Sequence, residues 1–152
     1  MNKRIIYDYL SDDELLRISN KIKEAEKKTR AEILVTIKEK RNLLEIRKPI
    51  RQLAEIEFQR SGITKTKDRT GVLIFILLSD KQFYILADSA ISNIISQKTF
   101  DDIAEKMSDT FRKGNFLSGI INCISSLSEI LGRYFPVLPD DVNEISNRVR
   151  FS

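Results

Sequence analysis

Val72-Leu73-Ile74-Phe75-Ile76-Leu77-Leu78, then Ser79-Asp80-Lys81, then Gln82-Phe83-Tyr84-Ile85-Leu86-Ala87, is the stretch that decides the fold. The first run is continuously apolar and too short for a core helix, as expected of a central strand covered on both faces. After the polar break, Phe83, Ile85 and Ala87 alternate with Tyr84 and Leu86, the period of a strand. Together they predict an antiparallel hairpin with a short loop.

Working outward, Ile33, Val35 and Ile37 alternate with Leu34, Thr36 and Lys38, so 32–39 reads as another strand of the same sheet. Ser11 followed by Glu14 has the spacing of a capping box, and Leu10 with Leu15 that of a hydrophobic staple. Leu15, Ile18, Ile22 and Ala25 then recur at helical spacing and predict a helix over 12–28. A second helix is expected over 44–59, with Ile50, Leu53, Ala54 and Phe58 on one side and Gly62 as its stop. Pro49 either opens that helix at its first turn or kinks it.

Downstream, Thr99 with Asp102 resembles a helix start, and Phe100, Ile103, Ala104, Met107 and Phe111 carry a buried stripe ending at Gly114. Leu117, Ile120, Ile121, Ile124, Leu127 and Leu131 give a broad apolar helix, expected to close at Gly132. Pro136, Pro139, Asp140 and Asp141 mark 136–152 as an extended tail. The 152 residues fit one domain. Its fold class is α/β, a three-layer αβα sandwich around a small mixed sheet of three to four strands.

Composition narrows the chemistry. There is no histidine, which removes histidine phosphatases, Ser-His-Asp hydrolysis and the common zinc sites. Cys123 is the single cysteine, so no intrachain disulfide can form, as suits a cytoplasmic location. A tyrosine-phosphatase-like loop would need arginine six positions after Cys123, where Glu129 stands, so Cys123 reads as core. Gly114 and Gly119 have phosphate-loop spacing, but Ile120 and Ile121 occupy the lysine and hydroxyl positions. They read instead as a helix end and a close-packing position.

The net charge of +4 comes from 26 basic and 22 acidic residues interleaved along the chain, which argues against nucleic acid as a partner. The cluster Lys21, Lys23, Lys27, Lys28 and Arg30 reads as a solvated helix face. No stretch approaches the roughly 20 apolar residues of a membrane span. The N-terminal residues lack the pattern of a secretory signal.

Carboxylates remain as the candidate site. Glu32 opens one strand, Asp68 precedes the next and Asp88 closes the third. A hairpin sets the start of one strand beside the finish of its partner, so Asp68 and Asp88 are expected at one edge, with Glu32 nearby. Such oxygen clusters suit calcium or magnesium. Alternatively these are capping and turn residues, with Arg69 or Lys67 as the compensating charge.

Several of these pieces resemble the TPM domain family. They are Ala31-Glu32-Ile33-Leu34-Val35, the run from Arg69-Thr70-Gly71 into the hairpin and on to Asp88, and Phe111-Arg112-Lys113-Gly114-Asn115-Phe116 with Gly119. Phe135-Pro136 and Asp140-Asp141-Val142-Asn143-Glu144 are similar to the ending of a bacterial subgroup, so the resemblance spans about residues 11 to 150. That family includes thylakoid-lumen proteins linked to photosystem II repair, a receptor-associated animal protein and bacterial proteins of unknown role. The resemblance implies an αβα sandwich. It implies a metal-assisted phosphatase activity only by way of some plant relatives.

Many relatives carry a signal peptide and a membrane helix or low-complexity tail, which this sequence does not show, so a direct role at a membrane is not expected. Two functions follow as expectations. The first is a non-enzymatic domain that recognises a protein partner, with or without a structural cation. The alternative is a metal-dependent phosphatase using Asp68 or Asp88.

Overall fold

The computed structural model describes residues 5–65, 68–137 and 149–152. Lys67 and the Pro139, Asp140 and Asp141 cluster lie outside them. Among the described residues four strands form one mixed sheet in the order β3-β2-β1-β4: β1 (Glu32–Lys38), β2 (Gly71–Leu77), β3 (Gln82–Ala87) and β4 (Val149–Phe151). β1 runs parallel to β2 and to β4, while β2 and β3 are antiparallel. The β2 strand is therefore interior, and every residue in it is buried. The apolar run is the interior strand and pairs antiparallel with Gln82–Ala87, as the sequence predicts.

Helices cover both faces, giving three layers. On one face α1 (Asp12–Glu26), α4 (Gln97–Arg112) and α5 (Phe116–Tyr134) bury Ile18, Ile22, Phe100, Ile124 and Leu127 against Ile33, Val35, Val72 and Ile74. On the other, α2 (Ile50–Arg60) packs Leu53, Ala54 and Phe58 against Leu34, Leu73, Phe75 and Leu77. The alternation of β1 thus divides its side chains between two cores. A single turn, α3 (Ser89–Ser92), follows β3.

The capping box of Ser11 and Glu14 is present at the start of α1. Several boundaries differ from expectation, β2 among them, which runs from Gly71 to Leu77 instead of over 72–78. α1 ends at Glu26 instead of residue 28, and β1 at Lys38 instead of residue 39. The helix expected over 44–59 is split: Leu43–Glu45 is a separate 3-10 turn, and Pro49, extended at ψ 157°, is the N-cap from which α2 starts. Proline thus opens the helix, because its fixed φ suits that position and its missing N–H costs nothing there.

The start expected near Thr99 is at Gln97, since the Ser96 hydroxyl accepts from the Thr99 N–H. Gly132 does not close the last helix, which continues to Tyr134. Its lack of a side chain serves packing, since a Cβ there would lie 2.8 Å from the Lys28 carbonyl oxygen. Gly114, at φ +86°, ends α4, and Gly119 sits against the Met107 carbonyl, so neither belongs to a phosphate loop. Residues 149–151, within the expected tail region, supply β4, anchored by Arg150 on the buried Glu57 carboxylate at 2.7 Å.

Candidate functional site: a compensated acidic edge and an exposed basic turn

At one end of the sheet β1 and β2 begin and β3 finishes. Glu32 is the register partner of Gly71, and the Asp88 N–H donates to the Gly71 carbonyl at 2.8 Å. Glu32, Gly71 and Asp88 therefore form one row across three strands. The Ala90 N–H donates to the Arg69 carbonyl at 3.2 Å, which lays the segment containing Asp68 and Arg69 along the start of α3. Asp68 is exposed in the turn that leads into β2.

Asp88 is 4% exposed, and its carboxylate is engaged twice. Oδ1 accepts the Ser89 N–H at 2.7 Å, capping α3, and the Arg69 Nε lies 3.1 Å from Oδ1 and 3.0 Å from Oδ2. Arg69 has φ 57°, a left-handed conformation that costs a non-glycine residue roughly 1–2 kcal/mol. Its carbonyl bond to Ala90 and its ion pair with Asp88 hold it there. The compensating charge beside Asp88 is thus the arginine offered as one alternative by the sequence. Among the described residues no group of three or more acidic or cysteine side chains is placed to hold a metal ion.

Glu32 is buried at the same end, beside a residue that the sequence reading did not single out. Glu26, on the last turn of α1, is also buried, and its Oε2 accepts the Ile33 N–H at 2.8 Å. Burial pushes the Glu26 carboxyl well above its ordinary range, to about 9. The Ile33 N–H opposes that rise, while the charge of Glu32 and a hydrogen bond to it add to it. Glu26 therefore keeps its proton at neutral pH, held against Glu32. The signal was available in the sequence: Glu26 stands four residues after Ile22, on the stripe of Ile18 and Ile22.

Cys123 is buried and offers no nucleophile, because burial pushes its thiol up to about 12. It lines a groove of about 340 Å³ between α4 and α5, together with Ile103, Met107 and Gly119.

The opposite end of the sheet, where β1 and β2 finish, carries a second structured feature that the sequence reading absorbed into a helix. Asn42 and Glu45 close a small capping box: the Asn42 N–H donates to Glu45 Oε1 at 2.9 Å, and the Leu44 N–H to Asn42 Oδ1 at 3.0 Å. Arg41 ties the turn to the β2–β3 loop through Asp80, 2.6 Å from its Nε. Its Nη1 also donates to the Glu45 and Lys48 carbonyls. Burial pushes the Glu45 carboxyl up, but the Asn42 N–H and Lys38 outweigh it and hold the carboxyl below its usual range. On this rigid frame Leu43, Leu44 and Ile46 face solvent at 88%, 84% and 59% exposure.

Comparison with known proteins agrees with this architecture. The chain is similar to the BA42 protein of the psychrophilic bacterium Bizionia argentinensis, with 29% identity, a TM-score of 0.85 and full coverage of both chains. It also shares its fold with the N-terminal domain of a protein from P. gingivalis, with 13% identity and a TM-score of 0.69. That match covers 84% of this chain and 79% of the other. No curated protein matches. No described helix is long and apolar enough to cross a membrane. The family model for the TPM domain matches residues 6–130, and the chain belongs to the TPM domain family.

Proposed function

We propose that the chain is a non-enzymatic interaction domain that recognises a protein partner, with its strand-end carboxylates serving the fold. The observation that carries this reading is the engagement of Asp88. An acid that polarises a phosphate ester through a metal must first give up its existing partners, and Asp88 is buried, caps α3 through Oδ1 and is ion-paired to Arg69, although its Oδ2 makes no hydrogen bond. Burial removes the Cys123 thiolate, and the chain has no histidine for general acid or base work.

The test has two arms. Phosphate release from p-nitrophenyl phosphate is measured with magnesium or calcium present, and an affinity-captured protein is repurified and mixed with the chain to measure a defined stoichiometry. No metal-stimulated turnover and a reconstituted complex are expected. Turnover that rises with metal and disappears in Asp88→Asn would overturn the reading.

A metal-dependent phosphatase is the second reading, favoured by the row of Glu32 and Asp88 with the exposed Asp68 at the same end. In it, calcium or magnesium takes Asp88 from Arg69. Added cation then raises the melting temperature, and Asp88→Asn abolishes the rise. With Arg69 as the lasting partner, the melting temperature stays where it was.

A further inference from the structure

The turn at the finishing end of β1 combines exposed aliphatic side chains with a local excess of basic charge. Residues 38–51 hold six basic side chains (Lys38, Lys40, Arg41, Arg47, Lys48 and Arg51) and two acidic ones (Glu39 and Glu45), a net of +4 that equals the formal charge of the whole chain. The other residues are therefore balanced. Both acids point into the structure: Glu45 is buried on Lys38, and Glu39 accepts the Ile6 N–H. Lys38 and Arg41 are spent on Glu45 and Asp80. What faces solvent is Lys40, Arg47 and Arg51, with Lys48 half-buried, together with the exposed Leu43, Leu44 and Ile46. Arg51 is shared with Glu55 on the first turns of α2.

We propose that this turn docks the domain on an anionic lipid surface, with Leu43, Leu44 and Ile46 entering the interfacial layer and Lys40, Arg47, Lys48 and Arg51 meeting the headgroups. Exposed aliphatic side chains flanked along the chain by lysine and arginine match a bilayer that is apolar beneath and negative at its rim. Binding hot spots on proteins instead favour tryptophan, tyrosine and arginine, and leucine is under-represented among them. The backbone cost of docking is small, because the Asn42–Glu45 box and the Arg41 bonds already fix the turn. Peripheral docking needs no spanning helix, so it is compatible with the absence of one among the described residues. It is also independent of whether a protein partner is held elsewhere on the domain.

Co-sedimentation with vesicles tests the proposal. Phosphatidylcholine vesicles with about one-third phosphatidylglycerol should bind the chain at low salt, and vesicles of phosphatidylcholine alone about tenfold less or weaker. Raising salt should release it. Each surface lysine or arginine contributes about fivefold, so Lys40→Ser with Arg47→Ser should weaken binding on the order of 25-fold. Leu43→Ser with Leu44→Ser should weaken it about tenfold or more while leaving the unfolding transition in place, since both side chains are exposed.

Failure to bind anionic vesicles overturns the proposal. So does binding that the leucine substitutions leave unchanged, because charge alone would then be responsible. If both vesicle types are ignored and an immobilised glutamate-leucine copolymer retains the wild type but not the leucine variant, the turn serves an acidic protein and the membrane proposal falls.

Discussion

Replacing Glu26 by glutamine should make the domain less sensitive to alkaline pH. The Glu26 carboxyl is held near 9 in the folded chain against an ordinary value of 4.5. The folded state thus binds a proton that the unfolded state releases throughout that interval. The sign follows: the stabilisation is complete below about 4.5 and is lost progressively as pH rises towards 9. One pH unit is worth at most about 1.4 kcal/mol for a single group. Between pH 5 and 8 the wild type should therefore lose up to about 4 kcal/mol from this residue. Relaxation and water penetration around a charged carboxylate reduce that figure, so about 2–4 kcal/mol is expected.

Glutamine mimics the protonated acid in shape and charge. Its carbonyl can accept the Ile33 N–H as Oε2 does now, and its amide can donate towards Glu32. Urea unfolding of both proteins at pH 5, 6.5 and 8 is the assay. Near pH 5 the two should be almost equally stable, and at pH 8 the variant should be the more stable. Carboxyls depressed in the fold, such as Asp80 beside Arg41, titrate in both proteins and cancel in the difference. A difference between variant and wild type that is the same at pH 5 and pH 8 would refute the reasoning.

Other consequences can be measured on the same protein. Arg69→Gly and Arg69→Ala both remove the ion pair to Asp88, but only glycine relaxes the left-handed backbone, so the glycine variant should be the more stable by about 1 kcal/mol in urea. Gly132→Ala should destabilise by about 1–3 kcal/mol, in spite of alanine's better helix propensity, because the new Cβ meets the Lys28 carbonyl at 2.8 Å. Cys123 should react with a thiol reagent only as fast as the domain opens, and at once in denaturant. Immediate stoichiometric labelling of the native protein would contradict its burial.

The sheet was legible where hydrophobic period and length agreed, in the apolar run of β2 and the alternation of β1 and β3. Period fails for β4, because three residues carry no pattern. Val149–Phe151 is identified by a contact with α2, the Arg150–Glu57 pair, between residues 93 positions apart. The Leu43–Glu45 turn was hidden because two leucines before an amphipathic segment look like its first turn, and Pro49 is the one residue of the connection that marks where α2 starts. Glycine was ambiguous at Gly132 for a similar reason: a helix stop and a close approach both require a missing side chain, and a distant Lys28 carbonyl decides between them.

Sequence also located the acids without revealing their state, and that difference decides where function should be sought. At the end where β1 and β2 begin, two of the acids are compensated internally: Asp88 by Arg69 and the cap of α3, and Glu26 by a proton held against Glu32. Buried charges are retained when they are paired or neutral, and side chains used in this way cannot be moved without loss of stability. At the other end the opposite holds. The β1–α2 connection leaves the finishing end of β1, beside that of the parallel β2, where open α/β sheets generally place ligands, and presents exposed Leu43, Leu44, Ile46, Lys40 and Arg47, whose removal the fold would barely register. Exposed apolar side chains on such a frame are unfavourable for solubility and unnecessary for folding, which is why the proposed docking is placed at the turn at 41–48 and not at the acidic row.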